Sequence, residues 1–125
     1  MRIQESAENY LETILMLEEA QGTVKSIDIV NKLNFSKPSV SIAMKNLREA
    51  GYINMDGNGY ITLLPPGKAI AKKIYRRHKL MTNWLIKLGV EPETAAEDAC
   101  KIEHVLSEES FNAIERHMSI AKESN

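Results

Sequence analysis

Cysteine is nearly missing from this chain: Cys100 is the only one in 125 residues. No intrachain disulfide can form, which leaves the thiol as a buried group, a reactive group or a metal ligand. Long apolar runs are missing too. None reaches the ~18 residues that a membrane-spanning helix needs, so no membrane partner is expected. The opening stretch MRIQESAENY has no apolar core of the secretory kind, and the expected location is the cytoplasm. There is no internal repeat and no low-complexity segment. What remains, with 43% hydrophobic and 26% charged residues, is an ordinary globular composition, enough for one domain or two small ones.

The net charge of −1 conceals an uneven distribution. Between positions 25 and 87 there are 12 Lys and Arg against three acids (Asp28, Glu49, Asp56), a balance of +9. Between 91 and 125 there are three bases against nine acids, a balance of −6, and the first 24 residues set Arg2 against five glutamates. A basic middle between acidic ends suits a polyanion that meets the middle alone. Charge by itself describes a solvated surface equally well.

The apolar periodicity supplies the architecture. Tyr10, Leu11, Ile14 and Leu17 recur as one helical face, closed by Gly22. Ser26 is expected to cap a short second helix carrying Ile27, Val30 and Leu33. Ser36 is expected to cap a third, with Pro38 in its first turn and Gly51 at its end. Only Asn34 and Phe35 lie between helices two and three, the tight join of a helix-turn-helix. YINMDGNGYITLL reads as a β-hairpin around DGNG. Pro65 and Pro66 open a long helix to about Leu88, with an apolar stripe of Ile70, Ile74, Met81, Leu85 and Leu88. Pro92 opens a fifth helix to about Leu106, and Ser107 caps a sixth to about Ala121. The expected fold is mainly α: a winged helix-turn-helix domain over 1–64, followed by an all-α domain over 65–125.

Helix three has two distinct sides. Val40, Ala43, Met44 and Leu47 form its core face. Pro38, Ile42 and Lys45, flanked by Ser39, Ser41 and Asn46, form a short outward face with no acid before Glu49. Hydroxyls and an amide can bond base edges or phosphates there, while Pro38 and Ile42 can meet thymine methyls in a major groove. Single bases such as Lys25, Lys37, Lys45, Lys68 and Lys72 suit phosphates. The joint pattern of helix-turn-helix, hairpin and local positive charge points to double-stranded DNA.

The stretch DACKIEHVLS spaces Cys100, Glu103 and His104 at i, i+3 and i+4, one face of a helix. Such a set is either an accident of a core helix or half of a metal site. His78 falls on the apolar stripe of the long helix, where a buried imidazole needs a partner. Glu12 falls at the edge of helix one's core face. Glu12, His78, Cys100, Glu103 and His104 together would make a mixed-donor site for Fe²⁺, Co²⁺, Ni²⁺ or Zn²⁺ that tolerates Mn²⁺. An enzyme using Cys100 as nucleophile and His104 as base is the other chemistry those residues allow, but no glycine loop lies nearby to bind an oxyanion. A winged-helix regulator that senses a small molecule and no metal also stays open.

The pieces ENYLETI, SKPSVSIAMKNLREAGYI, YRRHKL and DACKIEHVLS resemble the diphtheria-toxin-repressor family of metal-dependent transcription repressors, from about Ser6 to Met118. In length the chain is similar to the small manganese-responsive branch, which lacks an SH3-like domain. The resemblance implies a homodimeric repressor activated by Fe²⁺ or Mn²⁺ and acting on near-palindromic operators of metal-homeostasis genes. It implies metal ligands at His78, Cys100, Glu103 and His104, and helix-one positions at or beside the metal at Asn9 and Glu12. It places Ser36, Pro38 and Ser39 against the operator, next to Lys37, Ser41, Ile42, Lys45 and Asn46. Asn9 stands where the family usually has Asp or Met. Cys100 matches the iron branch and Glu12 the manganese branch. Thr82 and Ala96 replace the Glu and His of the iron branch's second site. The dimer seam is expected within residues 66–118, on Ile102, Leu106, Phe111, Ile114 and Met118 with the start of helix four.

Overall fold

The computed structural model describes residues 5–123. Among these are six helices and one two-stranded sheet: α1 (Glu5–Gln21), α2 (Ser26–Leu33), α3 (Lys37–Glu49), β1 (Ile53–Met55), β2 (Ile61–Leu63), α4 (Pro65–Lys87), α5 (Pro92–Ile102) and α6 (Glu108–Glu123). The order is that of a winged helix-turn-helix followed by helices alone. The chain forms two compact units that meet in sequence at Tyr75 and Arg76, within α4.

The first unit is built on α1, which packs against α2, α3 and β2. Tyr10, Leu11, Ile14 and Leu17 are all buried, as their period requires. Gly22, at φ 86, turns the chain out of α1. Tyr10 meets Phe35 edge-on, with ring centroids 5.9 Å apart, which ties α1 to the turn between α2 and α3. Burial pushes the Tyr10 phenol above its ordinary pKa.

Two expectations for α2 are corrected. Ser26 is not its cap: Lys25 holds that position, and the Asp28 carboxylate reaches back to accept from the Lys25 N–H at 2.8 Å. The buried residue of α2 is Ile29, while Ile27 is 43% exposed. Val30 and Leu33 pack half-buried against the same core, so the apolar face is Ile29, Val30 and Leu33, spaced three and four apart. Asn34, at φ 57, makes the left-handed exit from α2, a conformation that asparagine tolerates.

The third helix follows its sequence signals. The Ser36 hydroxyl accepts from the Ser39 N–H at 3.2 Å, and Pro38 lies in the first turn, where a missing N–H costs nothing. Val40, Met44 and Leu47 are buried; each such side chain contributes about 1.5–3 kcal/mol by leaving water. In the wing, β1 pairs antiparallel with β2, Asn54 opposite Thr62. Asp56 organises the connection: its carboxylate accepts from the N–H groups of Asn58 and Tyr60, both at 2.9 Å. The Ile61 N–H donates to Val24 O at 2.7 Å, anchoring the wing to the loop before α2.

Gly67, in the first turn of α4, is fixed by a close approach that the sequence did not announce. A Cβ there would lie 2.2 Å from Tyr52 O, the same carbonyl that accepts from the Leu64 N–H at 3.0 Å.

In the second unit, Met81, Ala95, Ala99 and Phe111 are the buried apolar side chains among the described residues. The Ser107 hydroxyl caps α6 by accepting from the Ser110 N–H at 3.1 Å. Two further expectations are corrected. Leu88 is 64% exposed, beyond the end of α4 and outside its buried stripe. And α5 stops at Ile102, so Glu103 is its C-cap and His104 and Val105 lie in a turn.

Candidate metal centre and nucleic-acid interface

The end of α5 decides how the donors of DACKIEHVLS are presented. Cys100 stays on the last turn of the helix and is half-buried. Glu103, completely buried, lies where the helix gives way to the turn, and His104 follows it. Both imidazoles lie close to the Glu103 carboxylate: His78 Nδ1, on α4, is in hydrogen-bond range at 2.9 Å from Oε2, and His104 Nε2 lies 3.5 Å from Oε1, a longer contact. The His104 side chain is 3% exposed and that of His78 20%.

Three of the expected ligands are therefore gathered in one unit, as two imidazoles around one carboxylate. Burying a carboxylate costs several kcal/mol unless charge or hydrogen bonds compensate, and here the compensation comes from groups that are themselves metal donors. The set fits a divalent transition ion: imidazole nitrogen suits Fe²⁺, Co²⁺, Ni²⁺ and Zn²⁺, and carboxylate oxygen admits Mn²⁺.

Glu12 and Asn9 belong to the first unit. Glu12 is 3% exposed in the middle of α1. Burying a carboxylate is costly, so hydrophobic packing alone does not account for it. Asn9 is half-buried, and its carbonyl accepts from Thr13 Oγ1 at 2.8 Å. The Thr82 hydroxyl is turned back onto His78 O, 2.7 Å away.

One buried polar residue beside the donors was not expected. Arg77, 6% exposed, donates from Nη1 to Leu106 O at 2.7 Å and to Glu103 O at 3.2 Å. Its guanidinium lies 5.1 Å from the centre of the Phe111 ring. The signal that could have found it was YRRHKL: a cation next to a half-buried histidine on an apolar stripe. Phe111, expected at a dimer seam, is 3% exposed within the single chain, beneath Arg76 and Arg77.

On α3 the structure places every expected DNA-facing residue outward. Ser36, Lys37, Pro38, Ser39, Ser41, Ile42, Lys45 and Asn46 are all exposed. Ile42, 62% exposed, is the most notable of them, because an aliphatic side chain in water gains by meeting an apolar partner. Ser41, Ile42 and Lys45 line a shallow concavity together with Arg48 and Met55. Arg48 was missed, although its position three residues after Lys45 puts it on the same face. Lys25 Nζ, at the cap of α2, lies 4.7 Å from the centre of the Tyr60 ring beside the wing.

Known proteins resemble the chain along nearly all its length. Residues 2–60 match the N-terminal DNA binding domain of the iron dependent repressor, and residues 65–124 its metal binding and dimerisation domain. An uncharacterized HTH-type transcriptional regulator of Methanocaldococcus jannaschii is 36% identical over 121 residues, 95% of this chain and 97% of its own. The transcriptional regulator MntR of Salmonella typhimurium is 34% identical over 109 residues, 87% of this chain and 69% of its own. Among solved structures, a manganese-dependent transcriptional repressor in complex with manganese superposes with a TM-score of 0.83 at 25% identity, over 90% of this chain. The chain spans about half the length of that protein, 52%. With two domains of one family matched in their expected order, the chain belongs to the iron-dependent repressor family.

Proposed function

We propose that the chain is a homodimeric transcriptional repressor whose affinity for duplex DNA is raised by Fe²⁺ or Mn²⁺, with Co²⁺, Ni²⁺ or Zn²⁺ as substitutes. The observation that carries this reading is the buried carboxylate of Glu103 between the imidazoles of His78 and His104. A bound dication would supply the positive charge that holds these donors together. His78 contributes from α4, Glu103 and His104 from the turn after α5, and Cys100 from α5 itself. Glu12, with Asn9 beside it, is read as the contribution of α1, on its burial and its correspondence to the family pattern. The two domains are read as 1–64 for DNA and 65–125 for metal and dimerisation.

The DNA side works through α3. Ser36, Ser39, Ser41 and Asn46 offer hydrogen bonds, Lys37 and Lys45 offer charge to phosphates, and Pro38 and Ile42 offer apolar contact to thymine methyls. A dimer presents two such helices, so the operator is expected to be near-palindromic, with half-sites whole helical turns apart. The metal raises DNA affinity only so far as it binds the DNA-competent arrangement more tightly than the other. A half-buried helix face on α6, with Ile114 and Met118, supports the dimer. Its groove with α4 is lined by Leu80, Ile86 and Met118.

A regulator is favoured over an enzyme because the matched domains are a DNA binding domain and a metal binding and dimerisation domain. Among the described residues no helix is long and apolar enough to cross a membrane, and we read the chain as a cytoplasmic protein that meets chromosomal DNA there.

The test is an electrophoretic mobility shift with chelator-treated protein and a duplex selected from a random pool. Restoring Mn²⁺ or Fe²⁺ should restore the shift. Equal binding with and without metal would favour a metal-independent regulator.

A further inference from the structure

Arg77 is a buried cation that neither the ligand set nor the DNA face uses. Its contacts concentrate on one short segment. The segment from Glu103 to Leu106 leaves α5 through a tight turn, with the N–H groups of Val105 and Leu106 both donating to Ile102 O, at 3.0 and 3.1 Å. The carbonyls at a helix end lack intrahelical donors. Arg77 supplies one to Glu103 O, at the C-cap, and another to Leu106 O, just beyond the turn. These carbonyls bracket His104, one residue before it and two after. Phe111 lies against the guanidinium, which limits how far Arg77 can swing. Consecutive residues of α4 therefore grip the same turn, Arg77 by its backbone and His78 by the Glu103 carboxylate.

We propose that Arg77 is a positioning residue for the metal: it assembles the Glu103–His104 turn before any ion arrives. Ligands already held in place need not be ordered on binding, and the ordering cost otherwise appears as lost affinity. A neighbouring group that orients metal ligands is typically worth 10–100-fold in metal affinity. Both bonds leave from Nη1; the planar, permanently charged guanidinium against Phe111 fixes the direction of those N–H groups, whereas an ammonium on a flexible stem does not. This inference rests on the metal-binding reading above.

The test titrates Co²⁺ into the full-length, chelator-treated chain and follows its visible absorption, with hydrogen exchange of amides 103–106 measured before metal is added. Arg77→Met should bind Co²⁺ about 10–100-fold more weakly, alter the cobalt spectrum and speed exchange in the turn. The control is Arg76→Met. Arg76 also lies over the Phe111 ring and pairs with Glu115, but bonds neither carbonyl; its loss should leave the turn's exchange and the cobalt spectrum unchanged. If Arg77→Met does not fold, Arg77→Lys decides, with weaker Co²⁺ binding and faster exchange at 103–106 expected. Unchanged cobalt affinity in the Arg77 variant that folds, or an equal loss in Arg76→Met, overturns the proposal. Failure of the unaltered chain to bind Co²⁺ would instead overturn the metal-binding reading itself.

Discussion

The two units put different kinds of residue inside. In the first, the interior is aliphatic and aromatic: Leu11, Ile14, Ile29, Val40, Met44, Ile53 and Ile61 are buried together, and Glu12 is the one carboxylate buried among the described residues there. In the second, Arg77 and Glu103 share the interior with Met81, Ala95, Ala99 and Phe111. Hydrophobic burial is non-directional and holds a shape. Buried charge is costly and directional, and persists where its partners are placed for it. The first unit is thus organised to present one outward surface, on α3. The second gives part of its stability to an inward site. Damage to the two should separate: core mutations in the first should cost stability, and polar mutations in the second should cost metal affinity.

The largest effect is expected from Met44→Ala. Truncating a fully buried methionine costs about 2–5 kcal/mol, so thermal or urea unfolding should show a marked loss. Metal affinity per folded molecule should stay the same. If instead Met44→Ala weakens Co²⁺ binding in folded protein as much as it lowers stability, the contrast between the units fails.

Gly67→Ala ranks next. The new methyl would overlap Tyr52 O at 2.2 Å, and a backbone carbonyl that already accepts from the Leu64 N–H cannot simply swing aside. Overpacking of this kind costs about 1–3 kcal/mol, read in the same unfolding experiment. Unaltered stability would mean that the start of α4 can move away from the wing without penalty.

Cys100→Glu tests selectivity. Thiolate is a soft ligand, and its replacement by a hard carboxylate should move preference from Fe²⁺ and Co²⁺ toward Mn²⁺. Competition between Co²⁺ and Mn²⁺ in the two proteins measures the change. A cobalt complex of the unaltered chain with no thiolate-to-metal charge-transfer band in the near ultraviolet would remove Cys100 from the ligand set.

The smallest effect is expected from Lys45→Ala. Loss of one phosphate contact should weaken DNA binding modestly and lower the slope of log affinity against log salt by about one, with no change in stability or in metal affinity. An unchanged slope would take Lys45 off the interface.

These contrasts were only partly legible in the sequence. The core face of α3 was, because Val40, Met44 and Leu47 recur at helical spacing and Ser36 and Gly51 mark the ends. The wing was, because Asp56 and Gly59 meet a turn's demands directly. The start of α2 was not. Lysine has no side-chain acceptor and so does not announce a cap, and the helix was secured instead by Asp28 reaching back. Nor was the end of α5, since no glycine or proline falls between Ala99 and Leu106. At that stop Arg77 takes the carbonyls of Glu103 and Leu106, a contact from 26 and 29 residues away that local sequence cannot signal. For the site, spacing suggested Glu103 and His104 but placed both on a helix face. Tertiary contact with His78 put them in the turn, with the carboxylate between the rings.

The central claim is that one site couples metal to DNA, and coupling is reciprocal. The most direct measurement is therefore the affinity of Co²⁺ for the chain alone and for the chain saturated with a duplex that the metal-loaded protein selects from a random pool. The account predicts tighter metal binding to the DNA complex, by roughly 5–150-fold, and by the same factor that Co²⁺ raises DNA affinity. Equal metal affinity in the presence and absence of DNA would contradict it.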